Sequence, residues 1–387
     1  MTSGPSPDLS RYIRPGDGVI VGQACAEPQA LTQALTEQRA AFSGTRLFLG
    51  VNYAGNVRPE HADHLRLSSY CGAGRNRALA DAGVLDIHPH PYSRLAALFR
   101  ERRVPCDVVL LQVSPPNSRG EYSMGLAVDY LPPALAVARV VIAEVNARVP
   151  WTYTERMFRR EDFALLLESS REPATPPPTR AGDAESAIAR HAAQFIPDGA
   201  MLEFGIGVLP DAVCAALTSR RGMRIHSGTI GDGVIDLMRA GAIEDASCGQ
   251  LIGTRRLFDF ARENPAIRMR STEYTHDPRV LGGLERFVAI NSAVEVDLTG
   301  QVNAEVAGGS YLGAVGGALD FIRAANASPG GVSLLLVPSS RIVKSLSGPV
   351  STPRSEAGVI VTERGAADLR GCTLGERARR MQAISSL

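Results

Sequence analysis

The chain is 387 residues long, enough for two or three ordinary domains, and 44% of it is hydrophobic, which excludes whole-chain disorder and fibrous repeats. Its 41 basic and 40 acidic side chains leave a formal charge of +1, giving no general field for nucleic acid or an anionic membrane. No stretch reaches the roughly 20 uninterrupted apolar residues of a membrane-spanning helix, and the opening MTSGPSPDLSRYIRPGD lacks a signal-peptide apolar run, so a soluble, cytoplasmic protein is expected.

In chain order, PQALTQALTEQRA from Pro28 predicts a helix with proline in its first turn, and RLFLGV from Arg46 a buried strand. CDVVLLQV and ARVVIAEV are β-branched, nearly unbroken apolar runs of the kind that fill a parallel sheet covered on both faces. Glu168 to Asp183, with Pro176, Pro177 and Pro178, concentrates proline and polar residues and predicts an exposed connector. Two α/β lobes are therefore expected, residues 1–182 and 183–387. In the second, MLEFGI predicts a strand, PDAVCAALTSR a helix from near Pro210, and RIHSG a short strand ending in a loop. GDGVIDLMRAG reads as a helix with Val234, Leu237 and Met238 on one face, and RFVAIN, AVEVDL, GVSLLLVP and GVIVTE as further strands. A cleft at the carboxyl ends of strands or between lobes is the expected site.

The turn at Gly205 and Gly207 lies between a strand and a helix, where backbone amides can hold an anion. Pro210 stands where GxGxxG needs its third glycine, and no GxxxxGK[ST] occurs, so neither a dinucleotide fingerprint nor a nucleoside-triphosphate loop is present. From Asn291, strand alternation puts Glu295 and Asp297 on one face, where they orient a substrate or cap backbone donors, with Glu305 following. Gly308, Gly309, Gly313, Gly316 and Gly317 then allow backbone amides to approach an acyl oxygen closely. His61, His64, His88 and His90 lack HExxH or cysteine companions and read as polar loop residues, so no metal is expected. No GxSxG elbow occurs. The six cysteines show no CxxC spacing and read as reduced and partly buried.

Together, GQACAEP at Gly22, QVSPPNSRGEYSMGLAVDY at Gln112, VVIAEVNARVP at Val140, LEFGIGVLPDAV, GDGVIDLMRAGAI, NSAVEVDLTGQVNAE, GAVGGALDFIRAA and VTERGAADLRG resemble, in order, the acetyl-CoA hydrolase/transferase family. That family includes butyrate and 4-hydroxybutyrate CoA-transferases. The resemblance implies a two-lobed class I CoA-transferase-like α/β fold with mainly parallel sheets flanked by helices. It also implies CoA or acyl-CoA as substrate with no tightly bound cofactor, a nucleophilic acceptor as the other small-molecule partner, and leaves a homodimer open. In such transferases a glutamate attacks the acyl-CoA carbonyl, and a glutamyl-CoA thioester follows.

The resemblance places that glutamate in an IHTE-like strand end, where this chain reads IHSGTIGDGVIDL and has Gly228, while His226, Asp232 and Gly233 still match. Glycine offers no nucleophile. Glu305, His226 and Ser227 remain as candidate catalytic groups, and Gly205, Gly207, Gly313, Gly316 and Gly317 as candidate CoA-binding or oxyanion-stabilising backbone. Lys344 reads either as a partner for a carboxylate or CoA phosphate or as an ordinary solvent-facing lysine. The expected activity is direct acyl transfer or thioester hydrolysis without an intermediate at residue 228. The alternatives are an inactive CoA-binding or assembly protein, and a carboxylate CoA-transferase using another glutamate.

Overall fold

The computed structural model describes residues 7–178 and 180–387, so residues 1–6 of the opening segment and Thr179 of the connector lie outside the described residues. The chain forms two compact units. The first gathers residues through His90, Arg94–Pro176 and Gly249–Glu273; the second gathers Pro91–Ser93, Pro177–Cys248 and Tyr274–Leu387.

In the first unit the apolar runs become β1 (Gly18–Val21), β2 (Thr45–Leu49), β3 (Leu65–Ser69), β4 (Leu85–Ile87), β5 (Val108–Val113), β6 (Val140–Asn146), the short β7 (Tyr153–Thr154) and β8 (Leu165–Ser169). All but β7 form one sheet of order β4-β3-β2-β1-β5-β6-β8, every pairing parallel. Val108 to Val113 are buried without a break, as a strand covered on both faces requires. The helix Gln29–Gln38 turns Leu31, Ala34 and Leu35 onto that sheet, one helical stripe packed with Leu47, Leu67 and Leu110. Strand order reverses between β1 and β5, so the GQACAEP segment after β1 falls at a topological switch point.

The second unit holds β9 (Met201–Phe204), β10 (Met223–Ile230) and β11 (Ile243–Leu251). The chain then returns to the first unit, where β12 (Ile267–Met269) pairs with β7. The later strands are β13 (Phe287–Ser292), β14 (Glu295–Asp297), β15 (Val302–Asn303), β16 (Val306–Ala307), β17 (Ser310–Tyr311), β18 (Val332–Leu336), β19 (Ile342–Val343), β20 (Val359–Thr362) and β21 (Gly365–Asp368). Across the second unit the order runs β21-β20-β18-β13-β9-β10-β11. The pairings from β20 through β10 are parallel and β21 is an antiparallel edge. The order reverses between β9 and β13, placing the Gly205–Gly207 turn at that unit's switch point.

Two sequence expectations change. The strand read as Arg224 to Gly228 with a loop beyond it extends to Ile230, so Gly228 lies within β10. The helix Gly233–Arg239 buries Val234, Ile235 and Leu237, while Met238 is only half-buried. The amphipathic helix Ala318–Ala327 lays Leu319, Phe321, Ile322 and Ala325 against the second unit. Phe321 and Ala325 join Phe287 and Ala289 of β13 in one apolar cluster. Burying a side chain of Phe321's size contributes about 1.5–3 kcal/mol.

Candidate active site

Alternation along β10 directs His226 and Gly228 to one face and Ser227 to the other. The Ser227 hydroxyl is fully buried and committed to backbone: its one proton goes to the carbonyl of Thr229 (2.7 Å), with that of Phe204 (3.1 Å) as the alternative acceptor, and it accepts from the amides of Phe204 and Thr229, both at 3.2 Å. His226 donates Nε2–H to the carbonyl of Thr275 at 2.9 Å, and burial holds its imidazole below the usual pKa. Ser227 and His226 are thus neighbours in sequence without forming a nucleophile–base pair.

The face that carries Gly228 is occupied by a residue that composition and periodicity did not single out. His276 follows Thr275 and precedes Asp277, whose carboxylate caps the short helix Pro278–Leu281 by accepting from the Arg279 amide at 2.7 Å. A Cβ added at Gly228 would lie 3.2 Å from His276 Cε1, 3.4 Å from Nε2 and 3.6 Å from Phe321 Cε2. A Cβ at Gly317 would lie 2.4 Å from Nε2 and 2.9 Å from Cδ2 of the same ring. Gly317 is therefore needed for the ring to sit where it does, whereas a side chain at Gly228 would need only a small shift of the ring. The imidazole also packs on Phe321 (centroids 4.5 Å) and Tyr92 (5.1 Å), and its Nδ1 shares a 2.8 Å hydrogen bond with Thr275 Oγ1. Burial, reinforced by His226, pushes its pKa down to about 3. The sequence signal was slight: one histidine in YTHDP, outside any periodic element.

Gly316 takes a positive φ of 59° and its carbonyl accepts from the Tyr92 amide at 2.9 Å. Gly317 is the N-cap of Ala318–Ala327, so the first amides of that helix open beside His276. Asp320, in the first turn, accepts from the amide (3.2 Å) and hydroxyl (2.9 Å) of Ser93. The HPHPYS segment therefore contributes Pro91–Ser93 to this cluster rather than its histidines.

Glu203 in β9 pairs with the same face, because Ile225 aligns with Leu202 and places His226 beside it. Its carboxyl is buried and accepts from Asn291 Nδ2 (2.8 Å) and the Ile290 amide (3.2 Å). Burial outweighs those donors and pushes its pKa to about 8. Gly205 lies next along β9, where an added Cβ would meet Asn291 Oδ1 at 3.3 Å, and Gly207, at φ 118°, caps the helix Val208–Ala216.

Glu305 belongs to a separate polar knot. Its carboxylate accepts from Tyr311 Oη (2.6 Å) and Ser351 Oγ (2.7 Å), and its carbonyl accepts from the amides of Leu312 and Gly313, each at 2.9 Å. Gly313 is glycine for a packing reason, since a Cβ there would lie 1.8 Å from the Ala304 carbonyl oxygen. Glu295 accepts through Oε1 from Asn303, Ser347 and Gly348, and Asp297 accepts from Thr299 and Gln301, so both brace loops. Burial pushes the Glu295 pKa up, but these donors together hold it below the usual range. Lys344 is exposed.

Of the other histidines, His61 Nδ1 accepts from the Arg58 amide at 3.1 Å and His88 packs on Phe48. Among the described residues no cluster of three His, Cys, Asp or Glu could hold a metal ion, and no helix is long and apolar enough to cross a membrane.

Residues 6–156 match the N-terminal domain model of acetyl-CoA hydrolase/transferase, and residues 253–386 its C-terminal domain model. The 4-hydroxybutyrate coenzyme A transferase of Clostridium kluyveri is 36% identical, over 95% of this chain and 90% of that protein. The chain belongs to the acetyl-CoA hydrolase/transferase family. Among solved structures, RipA from Yersinia pestis superposes with a TM-score of 0.93 at 29% identity, covering 99% of this chain and 93% of that one. A 4-hydroxybutyrate CoA-transferase from Porphyromonas gingivalis gives a TM-score of 0.81 at 31% identity, over 97% and 92%. These matches and the paired parallel sheets establish the class I CoA-transferase-like α/β architecture for this member of the family.

Proposed function

We propose that this family member cleaves acyl-CoA thioesters by passing the acyl group directly to water or another nucleophilic acceptor, with no glutamyl-CoA intermediate at residue 228. Acyl-CoA is the substrate rather than a resident cofactor. The relatives named for CoA transfer support the substrate class. The observation that carries the mechanism is the exchange at β10: residue 228, where the family resemblance places the nucleophile, has no side chain, and an imidazole fills the adjoining space. In this reading Gly316 and Gly317 bring backbone amides at the helix start to the thioester oxygen, whose negative charge grows as the carbonyl is attacked. The Gly205–Gly207 turn lines the same strand ends, Ser227 and Gly313 shape the backbone, and Glu305 supports its loop rather than attacking. Residues 1–182 and 183–387 are proposed as the two lobes of the catalytic subunit, with Pro91–Ser93 grouped in the second compact unit and Gly249–Glu273 in the first.

The test is a panel of acyl-CoAs of increasing chain length, offered water, carboxylate, alcohol and amine acceptors, with CoA release and product both measured. Turnover above the protein-free rate, with intact-protein mass spectra free of a CoA-linked species, supports the proposal. CoA binding without turnover anywhere in the panel would leave a binding or assembly protein instead. A CoA adduct mapped to Glu305 would restore the carboxylate-transfer chemistry.

A further inference from the structure

We propose that the second unit carries a further ligand site, at the end of its sheet opposite the Gly205–Gly207 turn, which takes a small organic anion: a carboxylate or phosphate group on an apolar body. The site begins with a surface pocket of about 480 Å³, within the range of small-molecule sites. Its lining comes from segments that lead into the parallel strands rather than out of them. Phe195 to Pro197 precede β9, Arg220 precedes β10, and Gly330 and Gly331 lead into Val332 at the start of β18. Arg370 joins them because β21 runs antiparallel, so that its last residue, Asp368, pairs with Val359 at the start of β20.

The lining divides by chemistry. Ile196 and Val332 are buried and Phe195 is half-buried, which gives the pocket an apolar side. At Gly330 and Gly331 the wall is bare backbone, because a Cβ on Gly331 would stand 2.4 Å from the Ala325 carbonyl oxygen and Gly330 takes a φ of 71°. Two guanidinium groups and no carboxylate complete the described lining. Arg370 gives Nε and Nη2 to the Asp368 carboxylate, at 2.9 and 2.7 Å, which fixes the group and offsets its charge.

Arg220 is in a different position. It is half-buried, donates Nη2 to the carbonyl of Ala193 at 3.1 Å, and has no carboxylate partner among the described residues. Ala193 ends the helix Asp183–Ala193, and a cation at a helix carboxyl end is favourable in itself. That accounts for one of five N–H donors. A guanidinium anchored through one donor, partly shielded from water and with the rest of its fork unspent beside a pocket, suits the paired oxygens of an anion. Outside the lining, Arg286 crosses the same edge, its Nη1 2.8 Å from where a Cβ of Gly199 would stand, while Asp198 accepts from the Arg221 amide at 2.9 Å. The anionic head is therefore assigned to Arg220 and the body to Phe195, Ile196 and Val332. Because β9 separates this pocket from Gly205, the assignment stands apart from the thioester reading.

The test is calorimetric titration of the full chain with benzoate and phenyl phosphate, which share a body and differ in the head. Inorganic phosphate and benzyl alcohol, each lacking one half, are the controls. At least one aromatic anion is expected to bind wild type about tenfold more tightly than either control, and the tighter of the two identifies the head as carboxylate or phosphate. Arg220→Gln keeps a donor for the Ala193 carbonyl but removes the charge, and should weaken binding about tenfold, the scale of a charge-assisted hydrogen bond. Gln194→Glu guards against a folding effect. Gln194 is an exposed lining residue, so a negative charge there should weaken binding while circular dichroism and thermal unfolding stay as in wild type. Undiminished binding in either folded variant would put the anion elsewhere and overturn the proposal. A control that binds as tightly as the aromatic anions also overturns it, as does a folded wild type that binds neither anion at about 10 mM.

Discussion

Replacing Glu203 by Gln should change the pH dependence of stability more than the stability at any one acidic pH. The folded protein holds this carboxyl protonated to about pH 8, against an ordinary value of 4.5, because burial penalises the charge more than the Asn291 and Ile290 donors favour it. A raised folded pKa means that the folded state binds more protons than the unfolded state between those values. Its contribution is therefore fully present below pH 4.5 and is lost as pH rises through 8. At 1.36 kcal/mol per unit, the carboxyl should cost wild type about 3 kcal/mol between pH 5 and pH 8. Gln is close in shape, can accept from the same two donors and has no charge to bury. Denaturant unfolding of both proteins at pH 5 and pH 8 isolates the effect, since Glu27 and Asp129, raised by burial to about 7, are common to both. Midpoints that shift in parallel with pH would mean that Glu203 is not carrying a proton in the folded protein, and the account of this face would fail.

Gly317→Ala should cost about 1–3 kcal/mol by overpacking, because its Cβ meets the His276 ring at 2.4 Å, and it should lower turnover even where the fold survives. Full turnover in a well-folded alanine variant would remove Gly317 from the proposed mechanism. Gly228→Glu should destabilise by a similar about 1–3 kcal/mol, since its Cβ already stands 3.2 Å from His276. Combining it with His276→Asn, which shortens the obstructing side chain, should recover stability measured by thermal unfolding and allow a CoA-linked protein to appear in intact mass spectra. A double variant no more stable than Gly228→Glu alone would show that the ring is not what crowds position 228.

The architecture was legible because its signals are local. Unbroken β-branched runs such as Val108 to Val113 gave parallel strands, and Pro176 to Pro178 fall in a stretch without helix or strand, whose Thr179 lies outside the described residues. The candidate site was legible only where a family pattern crossed it, at His226 and Gly228. His276 was not, because its significance lies in two glycines 48 residues upstream and 41 downstream that leave room for its ring, and such contacts have no sequence period. Pro91–Ser93 escaped for the same reason: a short segment that joins the second unit from far away in the chain carries no local mark of its destination. The strand was read as ending at Gly228 because glycine is depleted in strands, although the β-branched Thr229 and Ile230 beyond it favour the extension that β10 shows.

Residue 228 and the ring of His276 face one another in close packing. A Cβ on residue 228 would stand 3.2 Å from Cε1 and 3.4 Å from Nε2, so a side chain there would need the ring to give by about a few tenths of an ångström. Glu203, His226 and His276 are all in their neutral forms near pH 7, the first because its pKa is about 8, the others because burial lowers theirs. Beside such neutral groups, the oxyanion proposed for the attacked thioester would gain more from oriented backbone amides than beside a fixed carboxylate, whose repulsion would oppose it. A carboxylate acceptor would bring a second negative charge into the same buried surroundings at the cost of its desolvation, whereas water, an alcohol or an amine enters neutral. The acceptor panel should accordingly rank neutral acceptors above carboxylates in kcat/KM. A carboxylate at the head of that ranking would mean that a cation, absent from this account of the face, governs the chemistry.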